Sequence, residues 1–182
     1  MNYTVFKPNG TNKGARISFN TSKVKNNKDR WQERLFVELV PQKGFNQEKQ
    51  VAVFDYANKK SVMINPTEAG EMLHTILTGI PFQTYHKNGD SGVWIKFAPW
   101  TKKRQFGQEG SKGHRVDTVS DIAFGLTGKD IFISASLSCG ECQCLKVLLE
   151  SYIKQAMAID ASELAKEIKK RNEQKNQDTV QQ

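Results

Sequence analysis

The sequence predicts an α+β protein: two antiparallel four-stranded β-meanders, each followed by a helix (ββββα–ββββα), and then a C-terminal helical tail. Three observations lead there. Strand-like alternation of apolar and polar residues dominates positions 15–64 and again 82–133. Each of these runs ends in a helix-start signal, Asn65-Pro66-Thr67-Glu68 in the first and Ser138-Cys139-Gly140-Glu141 in the second. Behind each signal stands an apolar stripe at three- and four-residue spacing. Identity between the halves is low, so the repeat is one of pattern, spanning about 14–79 and 80–159. The two units make one domain, 1–159, and 160–182 form a C-terminal helix and flexible tail.

Along the first unit, residues 1–13 are polar and Gly/Asn-rich after Tyr3-Thr4-Val5-Phe6, which suits a partly ordered arm. Ile17 and Phe19 alternate with Arg16, Ser18 and Asn20, a half-buried strand over 15–21. The basic, Asn-rich stretch 22–30 is a loop. Leu35, Val37 and Leu39 share a face of the next strand, 31–40; after a turn over 41–49, residues 51–56 form the third strand and 61–64 the fourth. Asn65 can accept a hydrogen bond from the first helical turn, Pro66 loses no useful donor at the first position, and Glu68 can reach back to the Asn65 N–H. Ala69, Met72, Leu73, Ile76 and Leu77 form the stripe, and Thr78-Gly79 before Pro81 ends the helix.

The second unit opens with strands over 82–87 and 93–99, joined through Asn88-Gly89, a strong hairpin signal. Val93, Ile95 and Phe97 face one way; Trp94, Lys96, Ala98 and Trp100 face the other. Residues 101–114 read as a loop carrying Lys102, Lys103, Arg104 and Lys112 around Phe106, and 116–126 alternate again before the short strand Ile131-Phe132-Ile133. Leu145, Leu148, Leu149, Tyr152 and Ala156 form the second stripe. Asp160-Ala161-Ser162-Glu163 offers one more helix start, and beyond Arg171 the chain is Gln/Asn-rich and expected to fray.

The 182 residues carry 37% hydrophobic and 25% charged side chains, enough for one sizeable core. The formal charge of +8 favours polyanionic partners. No apolar run approaches the ~18 residues of a membrane-spanning helix, and Met1 to Phe6 lacks the pattern of a signal peptide, so a soluble, intracellular, cytoplasmic protein is expected. The three cysteines all lie in Cys139-Gly140-Glu141-Cys142-Gln143-Cys144. An odd count argues against a disulfide framework; structural zinc wants four ligands, so no metal and no cofactor are expected.

Catalytic motifs are missing: there is no phosphate loop, no His-Glu-x-x-His and no nucleophile elbow. His74, His86 and His114 are scattered, without a carboxylate at motif spacing. Asp117 and Asp121 share a strand face and could hold a cation, although a solvated face explains them as well. A binding protein rather than an enzyme is expected. The face of Trp94, Lys96 and Trp100, followed by Lys102, Lys103, Arg104 and Phe106, interleaves aromatic rings with cations. Aromatic side chains stack on unpaired bases, whereas duplex DNA hides its base faces, and Lys or Arg neutralises the phosphates between. The alternative is that both tryptophans are buried against the second helix and the basic loop is merely solvated.

Several segments together resemble the whirly family of single-stranded DNA-binding proteins. Tyr3-Thr4-Val5-Phe6-Lys7 and Lys13-Gly14-Ala15-Arg16-Ile17-Ser18 are similar to that family's opening tyrosine segment and its Lys-Gly-Lys-Ala-Ala-Leu strand, with one residue fewer after Gly14 and Arg16 in place of a small residue. Asp55-Tyr56 to Lys60, followed by Thr67-Glu68-Ala69-Gly70, resembles the family's Asp-Trp…Arg-Lys and Thr-Glu-x-Gly junction; the pattern of 131–153 fits the second junction. The resemblance covers nearly all of the chain to about residue 158. It implies two four-stranded sheets packed crosswise, with helices joining protomers in a tetramer. The same fold is shared with positive-cofactor coactivators and guide-RNA-binding proteins. It also implies a DNA contact around Lys13. The candidate binding set is thus Lys13, Arg16, Lys59, Lys60, Trp94, Lys96, Trp100, Lys102, Lys103, Arg104 and Phe106. The expected partner is single-stranded DNA, possible RNA included, bound with low sequence specificity during replication, recombination or repair by a homo-oligomer, dimer or tetramer. The absence of an organelle-targeting segment suits a bacterial or viral source. RNA binding or annealing, a transcriptional cofactor role, and a structural oligomer that binds no nucleic acid are the alternatives.

Overall fold

The computed structural model describes residues 1–8, 13–27, 29–88, 91–107 and 109–180, with the side chains of 88, 91, 104, 106 and 175–180 outside the described set. Its elements run β1 (Asn2–Lys7), β2 (Ala15–Lys25), β3 (Trp31–Asn46), β4 (Val51–Phe54), a 3-10 turn (Tyr56–Asn58), β5 (Lys60–Ile64) and α1 (Pro66–Thr78). The second unit follows as β6 (Phe82–Asn88), β7 (Ser91–Phe106), β8 (Arg115–Gly128), β9 (Ile131–Leu137) and α2 (Cys139–Val180).

All pairing is antiparallel. The first sheet runs β1-β2-β3, and the long β3 then takes two partners: β5 pairs its first half, Leu35 to Leu39, and β4 pairs its far end, Gln42 to Asn46. The second sheet is a plain meander, β6-β7-β8-β9. The alternation read from the sequence sets which face is buried. Ile17, Phe19, Leu35, Val37 and Leu39 of the first sheet meet Ile95, Phe97, Phe124 and Leu126 of the second in one cluster of buried side chains. Phe124 is the hinge pin: its ring lies edge-on to Phe19 across the sheets, at 5.9 Å between centroids, and against Phe97 on its own sheet at 6.1 Å.

Both helices cover this core. At α1 the Asn65 side chain accepts the Glu68 N–H at 2.9 Å while Glu68 Oε2 accepts the Asn65 N–H at 3.0 Å, a complete capping box with Pro66 at the first position. Gly79 closes the helix at φ 75°, a left-handed conformation that favours glycine, with its N–H donating to Thr75. Asn65→Ala removes one half of that box and should cost about 1 kcal/mol, measured as a lowered urea midpoint with unchanged m-value. The α1 stripe is turned from its expected position: Ala69 and Met72 are buried, Leu73 and Ile76 partly so, but Leu77 is 62% exposed while Thr75 is buried in its stead. In α2 the whole expected stripe is buried, and the Tyr152 hydroxyl donates to the Ile64 carbonyl at 2.9 Å, tying the second helix to the end of β5.

Several segments differ from the sequence reading: the third strand ends at Phe54, with Tyr56 in the 3-10 turn, and the first sheet has five strands and is no simple meander, because β1 joins it and β5 pairs β3 rather than β4. The expected N-terminal arm is an edge strand, β1, because Val5 reaches the core and Tyr3 stacks on Phe19 at 6.3 Å; residues 9–12 of that segment lie outside the described residues. β2 and β3 run past their expected ends, leaving a tight turn near Asn26–Arg30 and carrying β3 through Pro41. The expected loop from Thr101 is a continuation of the β7–β8 ladder out to Phe106 and Arg115. The helix start at Asp160 is no start at all: α2 is continuous from Cys139 to Val180, and its length of 42 residues takes in most of the tail. Ala, Leu, Lys and Glu from 161 to 173 carry helix propensity straight through the capping pattern.

Candidate nucleic-acid interface

With one face of the second sheet in the core, the other is set by register. Trp94, Lys96, Ala98, Trp100 and Lys102 alternate with the buried Ile95 and Phe97 along β7 and point outward. Trp94 is 45% exposed and Trp100 50%, so neither is buried against α2. The Asn88-Gly89 turn falls partly outside the described residues, but the β6–β7 register places Tyr85 opposite Trp94, their centroids 5.2 Å apart. Across β8 the same row continues through Thr127 to Phe132, which is 82% exposed. An aromatic row therefore crosses the sheet.

The rows beside it are small. Lys96 lies between Gln83 and Gly125, with Ser134 next; Ala98 lies beside Ala123 and Ser136. Trp100 closes the far side, six residues or about 20 Å along the strand from Trp94. The result is a shallow trough with aromatic walls and a floor of Gly, Ala and Ser. Gly92 is part of its construction: the Tyr85 hydroxyl occupies the space where a Cβ on Gly92 would stand, so any side chain there displaces Tyr85.

The cations divide into two kinds. Lys96 is exposed on the trough, and Lys87 is exposed at its β6 edge. Lys102, by contrast, is already engaged. Its ammonium donates to the Asp121 carboxylate and, at 3.3 Å, to Ser136 Oγ, and sits 5.7 Å from the Trp100 ring centroid. Asp121 is only 3% exposed and held by Lys102, which corrects the expectation of a solvated carboxylate there; Asp117, 3.1 Å from Arg115, is half-exposed at the surface as the solvated reading expects. Lys103 is exposed but has the opposite parity on β7 and projects away from the tryptophan face. The backbones of Arg104 and Phe106 continue β7, and their side chains lie outside the described residues.

The remaining candidates lie on the first sheet. Arg16 is held between two exposed rings, 5.9 Å from the centroid of Phe6 and 5.7 Å from that of Tyr56, with Phe54 packed behind Phe6. Lys13 is exposed just before β2. Lys59 donates to Glu38 at 2.8 Å. Lys60 turns toward the second sheet instead, lining a cleft of about 560 Å³ with His86, Lys87, Val93 and Lys129. The nine candidates whose side chains are described are therefore not one patch: Trp94, Lys96, Trp100 and Lys102 lie on the outer face of the second sheet and Lys103 on its other face, Arg16 joins a cation–aromatic cluster on the first sheet with Lys13 and Lys59 on that sheet's side, and Lys60 lines the cleft.

Sequence reasoning missed Tyr85 and Phe132, although the hairpin register and the alternation of Ile131-Phe132-Ile133 carried the signal. It also missed the contact of His86 Nε2 with Glu68 Oε1, 2.7 Å, which joins β6 to the first turn of α1 and has no signature in sequence spacing. Among the described residues no group of three or more His, Cys, Asp or Glu side chains could hold a metal ion, and no helix is long and apolar enough to cross a membrane.

No protein-family model matches the chain, and no curated protein matches it in sequence. Solved structures do match. The plant transcriptional regulator PBF-2 is similar with a TM-score of 0.58 and 13% identity, over 89% of this chain and 85% of that one. WHY1 from Arabidopsis thaliana is similar with a TM-score of 0.54 and 14% identity, over 94% and 92%. Both are plant Whirly proteins, and at these identities the likeness is one of fold. Two antiparallel sheets packed through Phe19, Phe97 and Phe124, each closed by a helix, are the whirly fold.

Proposed function

We propose that this protein binds single-stranded DNA with little sequence preference, and that it serves DNA replication, recombination or repair by binding rather than by catalysis. The observation that carries the reading is the outward trough on the second sheet. Trp94 and Trp100 are half exposed there, Tyr85 and Phe132 extend the aromatic row, and Lys96 lies among them on a floor of small residues. An apolar core accounts for none of these positions. Stacking on such rings is sequence-tolerant because every base has a π-face, and Lys87 and Lys96 stand where phosphates would pass. The net charge of +8 acts in the same direction. The whirly fold of PBF-2, whose description is that of a transcriptional regulator, keeps a transcriptional role as the second reading on the same surface.

The test is a gel shift with labelled oligo-dT against oligo-dT, oligo-rU and duplex competitors. Oligo-dT is expected to compete best, and duplex worst. Because Lys102 is neutralised by Asp121, Lys87 and Lys96 leave about two phosphate contacts, which predicts a roughly 7-fold loss of affinity between ~50 and ~200 mM salt. Equal competition by duplex, or a flat salt response, contradicts the reading.

We also propose a homo-oligomer. Leu77 and Ile80 at the end of α1 and Val147, Met157, Leu164 and Ile168 along α2 are all exposed apolar side chains on helices or their ends. Light scattering at micromolar concentration should give a dimer or tetramer mass; a monomer mass contradicts it.

A further inference from the structure

The three cysteines occupy the start of α2, and the fold treats them differently. Cys139, the first residue of the helix, is exposed; Cys142, one turn on, is 4% exposed; Cys144 is exposed again. Positions three apart on a helix lie about 60° apart around its axis and about 5 Å apart between Cα atoms. That separation falls inside the ~4.4–6.8 Å range over which a disulfide can close. Cys144 is about 200° around the helix from Cys142 and lies instead beside the Tyr3 hydroxyl, so it is no partner for it.

Cys139 and Cys142 also share a cleft of about 210 Å³, walled by Thr75 and Gly79 at the end of α1, Pro99 of β7 and Asp121 of β8. Cys142 is at its inner end, its Sγ 3.7 Å from the Leu137 carbonyl. Burial, and then the neighbouring Cys139, pushes the Cys142 thiol up to about 11, so it stays protonated at neutral pH. One sulfur is presented to solvent and the other is held behind it. A pair that only packed the first turn of a helix would need neither the shared cleft nor the Cys-x-x-Cys spacing.

We propose that Cys139 and Cys142 are a redox-active dithiol that closes to an intramolecular disulfide by exchange with a small-molecule disulfide of the glutathione class. The exposed Cys139 thiolate attacks one sulfur of the small disulfide, forming a mixed disulfide and releasing one small thiolate. Cys142 then gives up its proton and attacks the Cys139 sulfur, expelling the second small thiolate and closing the ring. The two cysteines lose two electrons and two protons; the small disulfide gains both and leaves as two thiols. This is independent of nucleic-acid binding, although Asp121 borders the cleft and holds Lys102 on the outer face.

The test uses the full chain carrying Cys144→Ser, equilibrated in glutathione buffers from fully reduced to fully oxidised, acid-quenched, alkylated and weighed intact. The expected result is that both remaining thiols disappear together, without a stable glutathione adduct or a linked dimer, and return in excess reduced glutathione. Adding Cys139→Ser, a change at an exposed position, should leave Cys142 at least tenfold slower to react while circular dichroism stays native. Thiols that vanish one at a time, a glutathione adduct that persists on Cys139, a linked dimer, or two thiols that survive fully oxidised glutathione would each overturn the proposal.

Discussion

Phe124→Ala is expected to destabilise the protein by about 3–5 kcal/mol, a large part of the ~5–15 kcal/mol that holds a typical domain folded. Phe124 is fully buried on β8, and its ring touches Phe97 on its own sheet and Phe19 on the other. Removing it deletes the contact through which the two sheets recognise each other and leaves a cavity between rigid sheets that cannot collapse around it. Urea unfolding followed by circular dichroism checks this directly. A loss below about 1 kcal/mol would mean that the sheets do not share a core at that point.

The second large effect is on binding. Trp94→Ala and Trp100→Ala should each weaken oligo-dT binding by about 1–3 kcal/mol, with the double variant near the sum, since the two lie about 20 Å apart on β7. Stability should hardly move, within about 0.5 kcal/mol for Trp100 and up to ~1 kcal/mol for Trp94, whose ring also meets Tyr85 across the hairpin. Thermal melts and titrations on the same variants separate the two possible roles. A folded variant with unchanged affinity would move the site to the first sheet, where Phe6, Arg16 and Tyr56 form the other exposed aromatic cluster.

The division between what the sequence disclosed and what it concealed follows physical lines. The first helix start was legible because Asn65, Pro66 and Glu68 act on each other within four residues, and the core faces because alternation is local. The tryptophan face of β7 was legible for the same reason: Ile95 and Phe97 inward leave Trp94, Lys96 and Trp100 outward. The far ends of β7 and β8 were not. Beyond Thr101 the described side chains of that ladder are largely exposed, so no apolar alternation marks Lys102 to Phe106 as strand, and it is the pairing with β8 that continues it. The tail misled in the opposite direction, since Asp160-Ala161-Ser162-Glu163 has the residues of a cap but sits in the middle of a favourable helix. Contacts made by folding alone stayed invisible. Asp121 reads as a solvated strand residue until Lys102 and Trp100 are laid beside it, and His86 reads as isolated until β6 brings it to Glu68.

In the proposed reading single-stranded DNA lies on the outer face of the second sheet. Photo-crosslinking of halogenated oligo-dU to the native protein, followed by peptide mapping, should then give crosslinks at Trp94 and Trp100, with Tyr85 and Phe132 as the next sites, lost when unlabelled oligo-dT is added. Crosslinks confined to Phe6, Phe54 or Tyr56 of the first sheet, with none on the second, would contradict it.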